Sequence, residues 1–325
     1  MKSPPNSGTG IDASLFVAEN DDAGKRLDAF LTAKIEAWSR SRLQKLIENE
    51  DVLVNETPAK PSYKLRTGDE IEVDLVELPS AKFEPENIPL SIIYEDEHLA
   101  VINKPAGMVV HPGAGVQSRT LANAIAFHFG FEQSAVGKQQ AELRVGIVHR
   151  LDKDTSGLIV VAKSGDIHEE LSEQFRSRNV YKSYIALVHG SPDQPFGTID
   201  APIGRNKHNR LRMKVATHGR SALSLWKVRK RYDKFTLLDV EIKTGRTHQI
   251  RVHMGYINHP VVGDEIYNEG RDNTISDINI RNAVRALGRF FLHAERLSFT
   301  HPVTKERMEF TQELPAELNQ FLDLL

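Results

Sequence analysis

The sequence predicts an α+β protein, with a small N-terminal module followed by a larger domain in which helices pack on a mixed sheet. Three observations lead there. From Leu90 onward, short apolar runs alternate with helix-period segments through both hairpin-length and longer connections. The stretch from Glu77 to Pro89 holds Pro79, Pro85 and Pro89 and has no periodicity, so it reads as a linker. Ahead of it, two helix-period segments and two strand-like runs fall close together. With 325 residues, 40% hydrophobic and 26% charged, the chain is long enough for two domains at ~100–200 residues each.

Each element has a local reason. Residues 1–19 are polar, carry Pro, Gly and Ser, and read as a flexible tail. Leu27, Phe30, Leu31 and Ile35 recur at helical spacing after Gly24. A second helix starts at Ser39 or Ser41 as N-cap and buries Leu43, Leu46 and Ile47. Val52-Leu53-Val54 and Ile71-Glu72-Val73 are short strands, with a turn at Thr67-Gly68-Asp69. Residues 20–76 thus form one module, 77–89 the linker and 90–325 the larger domain. Within that domain, strands are expected at 99–102, 146–148, 158–162, 183–188 and 235–242. Helices are expected at 121–129 and 167–175, and another begins at His248 with Thr247 as its cap.

Composition narrows the chemistry. There is no cysteine, which removes disulfides, thiolate nucleophiles, cysteine zinc sites and Fe–S clusters. The longest local apolar run, Leu158 to Ala162, falls far short of the ~18 residues that cross a bilayer. The opening residues lack the apolar core of a secretory signal. Net charge is −2, but it is unevenly spread. Between Ala201 and Arg231 there are ten Lys/Arg and no Asp or Glu, the pattern of a solvated loop or of a face for a polyanion. Between Lys25 and Lys45, six basic residues outnumber two acidic ones.

Two stretches concentrate reactive side chains. His149-Arg150-Leu151-Asp152-Lys153-Asp154-Thr155-Ser156-Gly157 lies between apolar strands, where a rigid scaffold presents functional groups. Asp152 and Asp154 are two apart and would face opposite ways on an extended segment, the wrong spacing for a two-carboxylate glycosidase pair. A charged hairpin turn satisfying its own backbone is the alternative. In Thr244 to His253, Arg246, His248 and Arg251 suit an anion better than a metal. His248 and His253 are five apart, not the four that aligns two imidazoles on a helix, and no Glu separates them. The alternative there is that Arg246 and Arg251 pair with structural carboxylates. Phosphate-loop, nucleophile-elbow and dinucleotide glycine motifs are all missing from the sequence. What remains is side-chain chemistry by Asp, Tyr and Arg.

Two resemblances follow. Arg26-Leu27-Asp28, Ser41-Arg42 with Leu43 and Ile47, Val52-Leu53-Val54-Asn55 and Gly68-Asp69 resemble the S4 RNA-binding module. His149 to Gly157 resembles the signature of the RluA family of RNA pseudouridine synthases. Ile102-Asn103-Lys104-Pro105-Ala106-Gly107, His111-Pro112, Lys182-Ser183-Tyr184, Ala201-Pro202-Ile203-Gly204-Arg205, Thr244 to His253, His259-Pro260, Gly263-Asp264, Leu292-His293-Ala294 and His301-Pro302 match the family in order.

The resemblance implies a pseudouridine synthase domain with a mixed, largely antiparallel sheet behind an S4 module. It implies an isomerase that converts specific uridines of large-subunit (23S) ribosomal RNA by base flipping, without cofactor or metal. Asp152 is then the catalytic aspartate, Tyr184 the tyrosine that stacks on the base, and Arg251 the cation orienting Asp152 through paired hydrogen bonds. Arg150 enters the helix as the uridine leaves, and Arg246, His248, Arg205, Arg40, Arg42 and Lys45 contact RNA. A cytoplasmic monomer acting on ribosomal RNA or the pre-ribosomal large subunit, away from membranes, is expected. The rival readings are a sister synthase acting on tRNA or another rRNA site, a non-catalytic ribosome-assembly protein that binds RNA, and a glycoside hydrolase using Asp152.

Overall fold

The structure, a computed structural model, describes residues 13–35, 38, 40–48, 50–74, 84–112, 116, 118–130, 146–206 and 212–325. Its strands are β1 (Ala13–Val17), β2 (Val52–Val54), β3 (Thr57–Pro58), β4 (Glu70–Asp74), β5 (Ile92–Glu95), β6 (Leu99–Lys104), β7 (Ser156–Ala162), β8 (Tyr181–His189), β9 (Phe196–Asp200), β10 (Ile203–Arg205), β11 (Met213–Val215), β12 (Leu223–Arg231), β13 (Phe235–Ile242), β14 (Leu292–Thr300) and β15 (Arg307–Thr311). Its α-helices are α1 (Leu27–Lys34), α2 (Arg40–Glu48), α3 (Leu121–His128), α4 (Gly165–Arg176), α5 (Gln249–Tyr256), α6 (Ile278–Leu287) and α7 (Ala316–Leu322). Described residues within Met1–Ser80 and Pro202–Ser221 form one compact unit; those within Ala81–Pro112, Val116–Ala201 and Ala222–Leu325 form the other.

In the first unit, α1 and α2 pack on a sheet of order β1-β4-β2-β3. Leu27, Phe30, Leu31, Leu43, Ile47, Val52, Leu65, Ile71 and Val73 make its core, each at most 2% exposed. The strand at Ala13–Val17 corrects the expectation of a tail through residue 19. Its backbone pairs antiparallel with β4 along the whole strand, Ala13 opposite Asp74 to Val17 opposite Glu70. Leu15 and Val17 stay exposed while Phe16 packs on the core, so the segment carries little apolar pattern for sequence reading to find. Also in this unit is the hairpin β10–β11, from the basic stretch.

The second unit is organised by a sheet of order β5-β6-β7-β14-β8-β13-β12-β9, with β15 paired to β14. Only β7 and β14 pair in parallel; the other described pairs are antiparallel. This is the mixed, largely antiparallel sheet expected. Central strands must be apolar on both faces, and every residue of β7 is buried. Around it, Leu99, Val101, Leu158, Val160, Leu171 of α4, Leu297 and Phe299 form one core cluster. Ile185, Leu187 and Phe235 pack with Val284 of α6 and with Leu318 and Phe321 of α7 in another.

Two local expectations change. The run at 146–148 is not a strand but a single bridge, Ile147 to Val161. The chain then leaves the sheet to present His149. Helix α5 is capped not by Thr247 but by His248, which is left-handed (φ 55°) and makes no side-chain cap bond. Gln249 instead orders the turn ahead of the helix: its Oε1 accepts from Arg246 N at 3.0 Å and from the Thr244 hydroxyl at 2.7 Å. Its Nε2 donates to Leu223 O and Ser224 Oγ, both at 3.0 Å, tying the helix start to β12.

Where β7 meets β14, Gly157 has φ +113° and lies opposite Ala294; a Cβ there would sit 2.2 Å from the Ala294 carbonyl oxygen. Only glycine fits that crossing. Gly157→Ala is therefore expected to lower the unfolding free energy by at least about 2 kcal/mol, measured by urea denaturation.

Candidate active site

The segment 149–155 is held at both ends. His149 stacks on Phe175 of α4 with ring centroids 4.5 Å apart, and its Nε2 accepts from Val160 N at 3.0 Å. Burial, helped by the charge of Lys182, pushes this imidazole down to about 3, so it is neutral and serves as an anchor. A tight turn follows, closed by Thr155 N donating to Asp152 O at 3.1 Å. Behind the turn, Lys104 at the end of β6 is fully buried. Its ammonium donates to Pro105 O at 2.8 Å, Met108 O at 2.9 Å and Lys153 O at 3.0 Å, using all three of its donors.

The turn places Asp152 Oδ2 3.2 Å from Arg251 Nη1. Arg251, in the first turn of α5, is 4% exposed. The expected paired hydrogen bonds are present on a different carboxylate. Arg251 Nε and Nη2 donate to Asp264 Oδ2 and Oδ1 at 2.6 and 2.9 Å, while Asp152 receives one bond, from Nη1. The physical reason is that Asp264 is fully buried and its Oδ1 is fixed by Ile266 N and Tyr267 N, so it meets the guanidinium edge-on. Tyr267 and Phe290 enclose the cation, with ring centroids 5.0 and 4.2 Å from the guanidinium carbon.

Burial pushes the Asp152 carboxyl up, but neighbouring positive charge outweighs it and holds the group below its ordinary range. His248, Arg251 and Arg150 are the sources. Burial also drives His248 down to about 4, so near neutral pH the two guanidinium groups supply that charge. Asp152 gives one oxygen to Arg251, and among the described residues Oδ1 has no hydrogen bond. Tyr184 on β8 is 7% exposed; burial and then the charge of Asp152 raise its phenol, which stays protonated at neutral pH. His248 Nδ1 and the Tyr267 hydroxyl share a hydrogen bond at 2.8 Å. The described residues contain no cluster of His, Asp and Glu fit to hold a metal. None of the described helices is long and apolar enough to cross a membrane.

Residues 98–256 match the family model described as RNA pseudouridylate synthase, and residues 25–71 match the S4 domain. A ribosomal large subunit pseudouridine synthase D from Xanthomonas campestris is 39% identical over 97% of this chain and 94% of its own length. The chain belongs to the RNA pseudouridine synthase family. An uncharacterized RNA pseudouridine synthase of Aquifex aeolicus is 43% identical over 92% of this chain and 93% of its own length. Among solved structures, human RNA pseudouridylate synthase domain containing 1 superposes with a TM-score of 0.55 at 25% identity, covering 73% of this chain and 89% of its own.

The sequence-predicted residues of this synthase divide by location. Asp152, Arg251, Tyr184, His248 and Arg150 come together, with Arg150 exposed and its charge acting on Asp152. Arg246 is half-buried in the turn before α5. Arg205 belongs to the other unit, where it pairs with Glu72 of β4 at 2.9 Å. Arg40 pairs with the buried Asp28 at 3.0 Å, alongside Arg26 at 3.0 Å. The side chains of Arg42 and Lys45 lie outside the described residues. Lys104, Asp264, Tyr267 and Phe290 were missed as site residues. The Asn103-Lys104-Pro105 and Gly263-Asp264 motifs marked the first two, but Tyr267 and Phe290 carry no local signal.

These contacts separate two aspartates by what they support. Asp264→Ala strands a buried guanidinium and is expected to cost about 3 to 5 kcal/mol in urea unfolding. Asp152→Asn leaves Arg251 its fork on Asp264 and is expected to cost less than about 1 kcal/mol. Because the folded pKa of Asp152 is depressed, its stabilising pair is fully formed above the ordinary carboxylate range near ~3.9 and is lost only as pH falls through the lower folded value. In a titration of 13C-labelled aspartates, the resonance missing from Asp152→Asn is expected to have a midpoint below ~3.9.

Proposed function

We propose that this synthase isomerises specific uridines of large-subunit ribosomal RNA to pseudouridine, with Asp152 as the catalytic carboxylate and no cofactor. The observation that carries the reading is the Asp152 carboxylate, held ionised 3.2 Å from a buried Arg251 and within electrostatic reach of the Tyr184 ring.

The reaction breaks N1–C1′, turns the base and joins C5 to C1′, while the C5 proton leaves and N1 gains one. It is isomeric and redox-neutral, so fixed side chains suffice. An ionised carboxylate serves as a nucleophile or as the counter-charge to a ribosyl cation. Arg251 keeps it ionised without claiming its second oxygen. The uridine must leave its stack, which costs a few kcal/mol. Stacking on Tyr184 returns ~1–3 kcal/mol, and the exposed Arg150 is available to fill the vacated space. As a protonated phenol, Tyr184 contributes its ring face and a hydroxyl donor.

The ribosomal target is supported by the printed name of the Xanthomonas relative and by the S4 domain. In that domain Asp28 accepts from Arg26, Arg40 and Gln44, and its carboxyl is held low by Arg26 first. Arg26 and Arg40 side chains stay 45% and 53% exposed, so the buried acid aims two cations at solvent, where RNA phosphates can reach them.

The deciding experiment maps pseudouridine chemically in total RNA from cells with the gene, without it, or carrying Asp152→Asn. Loss at large-subunit rRNA positions in both altered strains is expected; loss confined to tRNA would favour the sister-synthase reading. Purified Asp152→Asn is expected to bind rRNA and form no pseudouridine. Replacing Arg26 and Arg40 together by Ala is expected to flatten the slope of log affinity against log salt by about 1.5, measured by filter binding.

A further inference from the structure

Arg289 has no part in the chemistry above, yet it is an arginine only 8% exposed. It sits between α6 and β14. Its Nη2 donates to Ser156 Oγ at 3.0 Å and to Leu292 O at 2.8 Å, its Nε to Phe290 O at 3.3 Å, and its Nη1 to Glu317 of α7 at 3.3 Å. The Ser156 contact is oriented in one sense only. His293 Nε2 lies 3.0 Å from Gln312 O, which can only accept, so Nε2 carries the ring proton and Nδ1 is the acceptor. Burial keeps this imidazole neutral. The Ser156 hydroxyl therefore donates to His293 Nδ1 at 2.9 Å, and its oxygen accepts from Arg289.

Ser156 is the first residue of β7, immediately after the turn that presents Asp152. The residue next to Arg289, Phe290, lies 4.2 Å from the guanidinium carbon of Arg251. The same short segment is locked to the loop that carries Asp264. Phe291 N donates to Val262 O at 2.9 Å, and a Cβ on Gly263 would meet Arg289 O at 2.4 Å. Two adjacent residues thus grip both halves of the Asp152–Arg251 pair, one through Ser156 and the other through the ring.

We propose that Arg289 is a positioning residue for the isomerisation, bracing the Asp152 turn through Ser156 while Phe290 seats Arg251. It touches neither substrate nor reacting atoms. The inference rests on Asp152 being the catalytic carboxylate. A carboxylate displaced by about an ångström loses on the order of 100-fold in rate, so the brace should be read in the chemical step and not in RNA affinity.

The test uses the full chain in excess over an unmodified large-subunit rRNA transcript carrying [5-3H]uridine, so that tritium release reports a single turnover. Affinity for the same transcript and thermal unfolding are measured in parallel. Arg289→Met is expected to slow turnover about 100-fold with affinity within threefold. Arg289→Lys keeps the charge and part of the bonding, and should recover about tenfold of that loss. Ser156→Ala, which removes only the link, should slow turnover about tenfold with an unfolding temperature close to that of the unchanged chain. Glu317→Gln, at the exposed end of the guanidinium, should stay within twofold.

A turnover within threefold of the unchanged chain in both Arg289→Met and Ser156→Ala would overturn the proposal. So would a loss explained entirely by weaker RNA binding, or a Glu317→Gln defect as deep as that of Ser156→Ala. Should Arg289→Met fail to fold, Arg289→Lys and Ser156→Ala carry the decision by the same thresholds. Asp152→Asn is run beside them. Product from that variant would overturn the Asp152 reading itself, whereas no product from it with a slowed Ser156→Ala supports both.

Discussion

A single buried guanidinium organises the site. Arg251 could not remain in a pocket closed by Tyr267 and Phe290 unless its charge were answered there, and Asp264 answers it with a two-point fork. Asp152 receives a single bond, from Nη1. The division of labour has a chemical consequence. If Asp152 held the fork, both of its oxygens would be engaged and the anion would be tied down. As it is, the carboxylate feels the positive charge while its second oxygen has no hydrogen bond among the described residues.

The sheet supplies the precision this needs. Asp152 precedes β7, Tyr184 lies on β8, and β14 runs between those strands, parallel to one and antiparallel to the other. A side chain on a buried strand and one on a turn anchored to the same sheet have little freedom, which is the condition for electrostatic preorganisation. The glycine at 157 belongs to the same requirement, since it lets β7 approach the backbone of Ala294. Lys104 braces the turn from behind by bonding Lys153 O, so the charged loop is presented by buried polar contacts on both sides.

The basic stretch from Arg205 to Arg231 has a more divided role than its charge suggests. Arg205 and Arg220 are committed to Glu72 and Asp51 within the first unit, at 2.9 and 3.2 Å. Arg229, on β12, bonds both Asp239 and Glu295. Ten basic residues with no acid among them fitted a solvated loop or a polyanion face, but the acids that answer these three come from other parts of the chain. A charge block read along the sequence cannot show its partners.

Much was legible from residues alone. Periodicity located α1, α3, β7 and β13 close to their true bounds, because each has a strong apolar stripe or run. The segments 149–157 and 244–253 stood out as the places where charge interrupts apolar structure, and both lie at the site. Residue types and their order thus determined the fold class and the family, and singled out Asp152, Arg251 and Tyr184, which the fold gathers in one place. Only the tertiary structure decided which carboxylate holds the Arg251 fork, that Tyr267 and Phe290 enclose it, that residues 13–17 are a strand, and that Arg205 faces Glu72. Those facts depend on strands and loops distant in sequence meeting across the sheet or within the smaller unit. Burial strengthens an electrostatic contact or leaves it costly according to which neighbour arrives, and local sequence does not carry that information.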